Sequence, residues 1–305
     1  MSAETHAASR PLLRSLYLMA SMVEARDAYT GGHLWRVSQF SGLLAGDLQL
    51  GDAEVARITL GGFLHDLGKI GVPDAILNKA DRLSDAEYAV IQTHPEIGAR
   101  LLSGHPLSPL VHAAVALHHE RPDGQGYPGR LQGSEQIPLE ARIVGLTDAF
   151  DAMTSDRPYR KGMPVERALA IIRDNLGRQF DAPLGERFIA LGEQGLLDHV
   201  VGHSDAGIPL QACGMCQGQV IVLRKGQRAG AKVYCRACGS EGRVEQDGTG
   251  FTVLPTGQQG SAAQLEPDVD EELVDRLIDE ASRHLGWQPV SRGPLGWWRG
   301  VFGGG

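Results

Sequence analysis

The sequence has no surplus of positive charge. Its 29 Lys and Arg stand against 37 Asp and Glu, a formal net charge of −8, which argues against a chain whose main task is to coat nucleic-acid phosphates. It also lacks an uninterrupted apolar run near the ~20 residues that a spanning helix needs, and Met1–Arg14 holds no basic n-region followed by a cleavage site. The expected location is therefore cytoplasmic, with no membrane span. No internal repeat is visible, and residues 10–200 show no alternating strand pattern. Cysteine is scarce, with four in 305 residues, and these form two CxxC pairs rather than a scattered disulfide framework.

What is present reads as folded protein: 42% hydrophobic and 22% charged residues are ordinary globular usage. Glycine is uneven, with 19 of its 40 copies in the last 105 residues, which places a boundary near residue 200. Before it, apolar residues recur at helical spacing: Leu12, Leu13, Leu16, Met19, Ala20 and Val23, then Val37, Phe40, Leu43 and Leu44. Asp52 is a candidate N-cap for a helix through Leu64, and Ser84 with Glu87 is a capping-box pattern opening a helix through Leu102. Pro109–Glu120, Leu139–Ser155 and Pro164–Asn175 complete the helices.

After Gly202 short strands are expected at Val220–Leu223 and Lys232–Tyr234, with a further one at Phe251–Leu254. Residues 201–243 carry six Lys/Arg against two acids, whereas 244–305 carry four Arg against ten acids. The expected fold class is all-α, a helical bundle over residues 10–200, followed by a small β zinc ribbon at 208–243. A flexible linker at 244–265, an acidic amphipathic helix at 266–286 and a loose Gly/Trp-rich tail at 287–305 complete the division.

His33, His65, Asp66, His94, His118, His119 and Asp148 all fall on or at the ends of apolar helices. Isolated imidazoles and carboxylates there carry a desolvation cost unless they share a partner. Five imidazoles and two carboxylates can hold two divalent cations, with Asp66 as a bridge because its two oxygens can be divided between them. Mixed N/O donors suit Fe or Mn. Two such ions suit phosphodiester hydrolysis, in which a water shared between them loses its proton and attacks phosphorus in line.

Several separated motifs then fall in one order: His65-Asp66-Leu67-Gly68-Lys69 with Pro73, Lys79 and Glu87; His94-Pro95 with Gly98; and His118-His119-Glu120-Arg121 leading through Asp123-Gly124-Gln125-Gly126-Tyr127-Pro128. Asp148-Ala149-Phe150-Asp151, Arg157-Pro158-Tyr159-Arg160 and Gln179-Phe180-Asp181 follow. Over roughly residues 14–195 the chain resembles the HD-GYP branch of the HD metal-dependent phosphohydrolases. The resemblance implies an HD-type helical domain that hydrolyses cyclic di-GMP to linear pGpG and, in some members, onward to GMP. It assigns metal ligation to the seven residues above, contact with the scissile phosphate to Lys69, and orientation of the attacking water to Asp151. Tyr127, Arg157 and Arg160 take the phosphate contacts of the ligand. Tyr29 stands where members with three metals carry Glu, so two metals are expected. Only about a dozen residues precede the resemblance, so input control is expected from elsewhere. A receptor that binds the dinucleotide and signals through its C-terminal part is the alternative; it needs neither Lys69 nor Asp151.

Cys213-x2-Cys216 and Cys235-x2-Cys238, eighteen residues apart, fit the pattern of one structural zinc with no open position. Arg224, Lys225, Arg228, Lys232, Arg236 and Arg243 make the module basic, and the expectation is that this surface docks the acidic helix or a signalling protein partner rather than nucleic acid. A chain ending at residue 200 is expected to keep its chemistry. Arg157→Ala or Arg160→Ala should weaken dinucleotide binding by about 1.5–3 kcal/mol, whereas Lys69→Ala should lower the rate constant more than the affinity. Calorimetry paired with steady-state kinetics checks this, and equal affinity losses with no rate effect contradict it.

Overall fold

A computed structural model describes residues 3–27, 31–79, 81–156, 161–216, 220–248, 250–266 and 268–286. Tyr29, Arg157, Arg160 and the tail 287–305 lie outside the described residues. The first half is helical: α1 (Ala3–Arg26), α2 (His33–Asp47), α3 (Asp52–Leu64), α4 (Asp74–Leu77), α5 (Asp85–Ile91), α6 (His94–Leu102), α7 (His112–Leu117), α8 (Leu139–Thr154), α9 (Val165–Asp174) and α10 (Ala182–Glu193). The apolar stripes do what their spacing requires. Leu13, Leu16, Ala20 and Val23 of α1 and Phe40 and Leu44 of α2 are buried in one core, although Met19 is exposed. Phe40, Phe150 and Phe188 meet edge to face, with centroids 5.0–6.3 Å apart, and tie α2 to α8 and α10.

Three local expectations change. Gly51 rather than Asp52 is the N-cap of α3, and Asp52 places its charge in the first turn. The Ser84 capping box forms, but the helix it opens ends at Ile91 and α6 restarts at His94. Pro95 is the reason: its ring collides with the carbonyl four residues back and it offers no N–H. Helix α10 is not among the expected helices, although Asp181 caps it through Leu184 N (3.1 Å) and Pro183 sits in its first turn.

The remainder holds β1 (His203–Asp205), β2 (Ile208–Pro209), β3 (Gln211–Ala212), β4 (Val220–Ile221), β5 (Lys232–Tyr234), β6 (Ser240–Asp247) and β7 (Gly250–Gln259), then α11 (Ala262–Leu265) and α12 (Glu271–His284). Strands β1 and β2 pair, as do β3 and β4, and β5-β6-β7 form an antiparallel sheet. Residues 244–265 are thus not a flexible linker. Val244 pairs with Val253 and Gln246 with Phe251 in a long hairpin, after which α11 begins. The strand expected at Phe251–Leu254 falls within β7, whereas a composition rich in Gly, Gln and Thr hid its partner β6. The β module also runs beyond 208–243 at both ends.

The acidic helix begins at Glu271, and its docking differs from the expectation. Val274, Leu277, Ile278 and Ala281 of α12 are buried in the same core as α1 and α3, while Arg10 of α1 pairs with Asp279 and Arg14 pairs with Asp275 and, at 2.9 Å, with Glu271. The basic module reaches this region through Asp268, which Arg224 meets at 2.9 Å, and through Asp205, which lies between Lys225 and Arg276 of α12. Residues 10–200 are therefore not a self-contained bundle: a chain ending there exposes the face that α12 covers. Ile278→Ala should cost about 2–5 kcal/mol in urea unfolding, because a fully buried side chain leaves a cavity. An unchanged midpoint would show that α12 is not part of the core.

Candidate metal centre

The site lies where α2, α8, the end of α3 and the starts of α6 and of the loop after α7 converge. On α2, His33 and Arg36 share a face at i, i+3, and on α8 so do Asp148 and Asp151; the two faces meet. His33 Nδ1 lies 2.7 Å from Asp151 Oδ2, and Arg36 Nε donates to Asp151 Oδ1 at 2.5 Å and Arg36 Nη2 to Oδ2 at 3.1 Å. His33, Arg36 and Asp151 are all buried. The Asp151 carboxylate thus lies behind the His33 ring, with Arg36, His33 and Ser155 occupying its oxygens. Its geometry suits holding His33 rather than orienting a water.

Three further imidazoles are fixed in the same manner. His65 Nδ1 bonds Gly62 O at 2.7 Å, His94 Nδ1 bonds Ile91 O at 2.8 Å and His118 Nδ1 bonds Ala114 O at 3.0 Å. Each bond keeps the proton on Nδ1 and turns the Nε2 lone pair inward, the arrangement that metal-ligating histidines use. His33 Nε2 and His65 Nε2 approach to 3.3 Å, and His94 Nε2 and His118 Nε2 to 3.2 Å. Two groups of metal-capable donors result: His33, His65 and Asp66, and His94, His118 and His119.

Asp66 connects them. Its Oδ2 lies 3.5 Å from His33 Nε2 and 3.4 Å from His65 Nε2, while its Oδ1 lies 3.4 Å from His94 Nε2. Asp148 Oδ1 joins the first group, 3.5 Å from His33 Nε2 and 3.7 Å from His65 Nε2. Lys69 Nζ reaches Asp66 Oδ2 at 2.6 Å. All seven expected ligands are together. The donors fit two divalent ions: inward-facing imidazoles and a carboxylate with one oxygen toward each set.

The electrostatics follow from burial. It pushes the His94, His118 and His119 imidazoles down, His119 to about 3. Burial alone would lower His33 as well, but Asp151, Asp66 and Asp148 outweigh it and hold that ring at about 9. Burial would raise Asp66, yet Lys69, His65 and His33 keep it well below the usual carboxylate range.

The loop of the Asp123–Pro128 motif is folded onto this centre. Glu120, buried, accepts from Gly129 N and, at 2.9 Å, Leu131 N. A Cβ at Gly126 would lie 2.5 Å from both Arg121 N and His119 O, so only glycine lets the chain turn there. Tyr127 consequently stacks on His119, centroids 4.6 Å apart and planes at 28°. Beside His118, His119 and Asp148 lies a cavity of about 380 Å³, lined also by Tyr88, Arg121 and Tyr127. Lys79 pairs with Glu87 at 2.7 Å. Sequence reasoning missed Arg36, a single charged helical residue whose partner nothing local marks, and it quoted Glu120 within its motif without assigning it a role.

In the C-terminal module the four sulfurs lie within 4.8 Å of one another, with Cys213 and Cys238 at 3.7 Å and Cys216 and Cys235 at 3.6 Å. Four thiolates at 2.3 Å from one zinc stand about 3.8 Å apart. Ser240 Oγ approaches Cys238 Sγ at 2.8 Å and Cys213 Sγ at 3.4 Å.

A helical bundle whose interior carries two adjacent histidine-carboxylate sets defines a class of metal-binding helical domain. The chain belongs to the HD-domain family, whose model matches residues 17–184. It is 46% identical over 169 residues to the cyclic di-GMP phosphodiesterase response regulator RpfG of Xanthomonas campestris pv. campestris, covering 55% of this chain and 44% of that protein. It is 40% identical over 162 residues to 3'3'-cGAMP-specific phosphodiesterase 3 of Vibrio cholerae, covering 52% and 35%. To a cyclic di-GMP phosphodiesterase of Thermotoga maritima it is 38% identical over 186 residues, covering 60% and 50%. The chain thus spans half or less of each of these relatives. Among the described residues no helix is long and apolar enough to cross a membrane.

The shifted imidazoles predict a stability profile for chelated protein. His94, His118 and His119 stay neutral when folded but take up protons when unfolded below pH 6.5, so stability should fall as pH drops from 6.5 toward 3. His33 acts in the opposite sense: its contribution is complete below 6.5 and lost as pH rises to about 9. The thermal midpoint of the metal-free chain should therefore peak near pH 6.5. A midpoint that climbs on acidification from 6.5 to 5 contradicts the assignment.

Proposed function

We propose that the chain is a metal-dependent phosphodiesterase that hydrolyses cyclic di-GMP to linear pGpG. The observation that carries this reading is Asp66, with one oxygen toward each histidine set. Three matched relatives bear names for hydrolysis of cyclic di-GMP or 3'3'-cGAMP. When bound, divalent ions, Fe or Mn by donor type, would supply Lewis acidity at the phosphoryl oxygens and would make water easier to deprotonate.

The chain's own residues do the rest. His33, His65, Asp66 and Asp148 would hold one ion, and His94, His118 and His119 with the second oxygen of Asp66 the other. Lys69, half-buried at the rim and bonded to Asp66, would swing to the scissile phosphate, where its cation meets the charge that develops in the transition state. Tyr127, stacked on His119, forms the cavity wall, and Arg157 and Arg160 take the remaining phosphate by motif position. Asp151 holds the His33 ring and keeps its Nε2 aimed at the site. The four cysteines would hold one zinc as a closed structural site.

Protein purified without oxygen, with its metals counted, should convert cyclic di-GMP to pGpG. The same assay run with 3'3'-cGAMP ranks the two substrates, and appearance of GMP shows whether the second bond is cut. Asp66→Ala should lower turnover by orders of magnitude while helical circular dichroism is kept. Wild-type turnover in that variant, or fully metallated protein that cleaves neither dinucleotide, overturns the reading.

A further inference from the structure

Among the described residues, the C-terminal module meets the helical centre at the turn that delivers His33. His33 is the first residue of α2, and the N-cap before it, Gly32, has φ 73° and no side chain with which to cap the helix. Something else must fix this turn. Glu24 of α1 accepts from Leu34 N at 3.0 Å, and further supports come from Arg36 and from beyond residue 200. A Cβ at Gly31 would collide with Val222, and one at Gly32 would lie 2.6 Å from Ser204 Cα. Arg36 Nη1 donates to Gly31 O at 3.0 Å and to His203 O at 2.9 Å.

These supports are rooted in the cysteine module. Val222 lies between Ile221 and Leu223, which are buried with Cys213, Cys235, Val233 and Val244 in a separate small core. Arg236, inside the second CxxC pair, donates to Ala25 O at 2.8 Å near the end of α1. A core of six buried residues, two of them cysteines, is too small to hold a fixed shape unaided, and a tetrahedral ion bound by four thiolates is what gives such modules their fold. The path from that ion to the catalytic centre is short: module core, Val222 and the Ser204 segment, Gly31–Gly32 and Arg36, Asp151, His33.

We propose that the four-cysteine site, filled by zinc, is a positioning device for the helical metal centre. By seating the Gly31–Gly32 turn and the Arg36–Asp151 clamp, it sets the aim of the His33 imidazole. The proposal rests on the reading of His33 as a metal ligand. It assigns the module a role in holding one of the two ions, so loss of the zinc acts on one half of the centre. His94, His118 and His119 make no such contact.

The test uses the full chain. Cys213→Ser with Cys216→Ser removes the zinc, and Mn²⁺ titration followed by metal counting then reads the helical centre directly. One helical ion should bind about 10–100-fold more weakly, the range found when a partner that orients a ligand is lost, while the other is retained. Hydrogen exchange at residues 33–37 should accelerate, with α7 unchanged. Arg36→Gln, in a chain that keeps its zinc, should reproduce the selective loss and separates positioning from unfolding of the module. Equal retention of both ions and unchanged exchange at 33–37 in the zinc-free chain overturn the proposal, as does loss of both ions together. Neither readout requires turnover: a wild type that binds two helical ions but cleaves no dinucleotide defeats the proposed activity and leaves this coupling standing.

Discussion

Asp66 is an ionised carboxylate in a nearly dry interior, and such a group is stable only where positive charge surrounds it. Lys69 and His33 supply that charge, and His65 and His94 complete the ring around it. The demand propagates outward. His33 can serve only if its other nitrogen is satisfied, which requires Asp151, and a buried Asp151 in turn requires Arg36. Each buried charge in the sequence of contacts has an opposite one beside it, and the crossing of α2 over α8 is the geometry that lets all of them meet.

The same logic explains why the C-terminal part is folded into the bundle rather than hung from it. Arg36 has more donors than Asp151 can accept, and the carbonyl of His203 takes one of them. Asp205, two residues on, is buried and pairs with Arg276 of α12 and with Lys225 of the cysteine module. One short strand thus connects the helical centre, the module and the last helix through polar contacts that would each be costly to break singly.

Much of the site was legible because its ligands come in contiguous motifs at helix ends: His65-Asp66, His118-His119 and the two CxxC pairs carry their chemistry in two to four residues. The clamp was not legible. Arg36 is an ordinary helical arginine, and its partner Asp151 lies 115 residues away; no local pattern encodes such a pairing. The break before His94 was legible in Pro95 but lost to a strong capping signal upstream. Part of β7 was legible at Phe251–Leu254, but its pairing with β6 was hidden by a composition that resembles a linker, and the face of α12 announced burial without saying that α1, rather than the basic module, would cover it. Periodicity reveals that a face is buried and leaves its partner to be decided by the whole fold.

The pairing of α1 with α12 closes a circuit: Arg14 and Asp275 are 261 residues apart in the chain yet joined side by side. Contacts of such separation form late, because the entropy of closing the loop is lost before any burial repays it. Docking α12 on α1 therefore carries the entropy of a loop that contains the whole β module, which the apolar face of α12 must repay. The exposed turn at Gly226 then separates two kinds of continuity. A cut there would divide the backbone, while the interlocked helices on either side of it would continue to behave as one body.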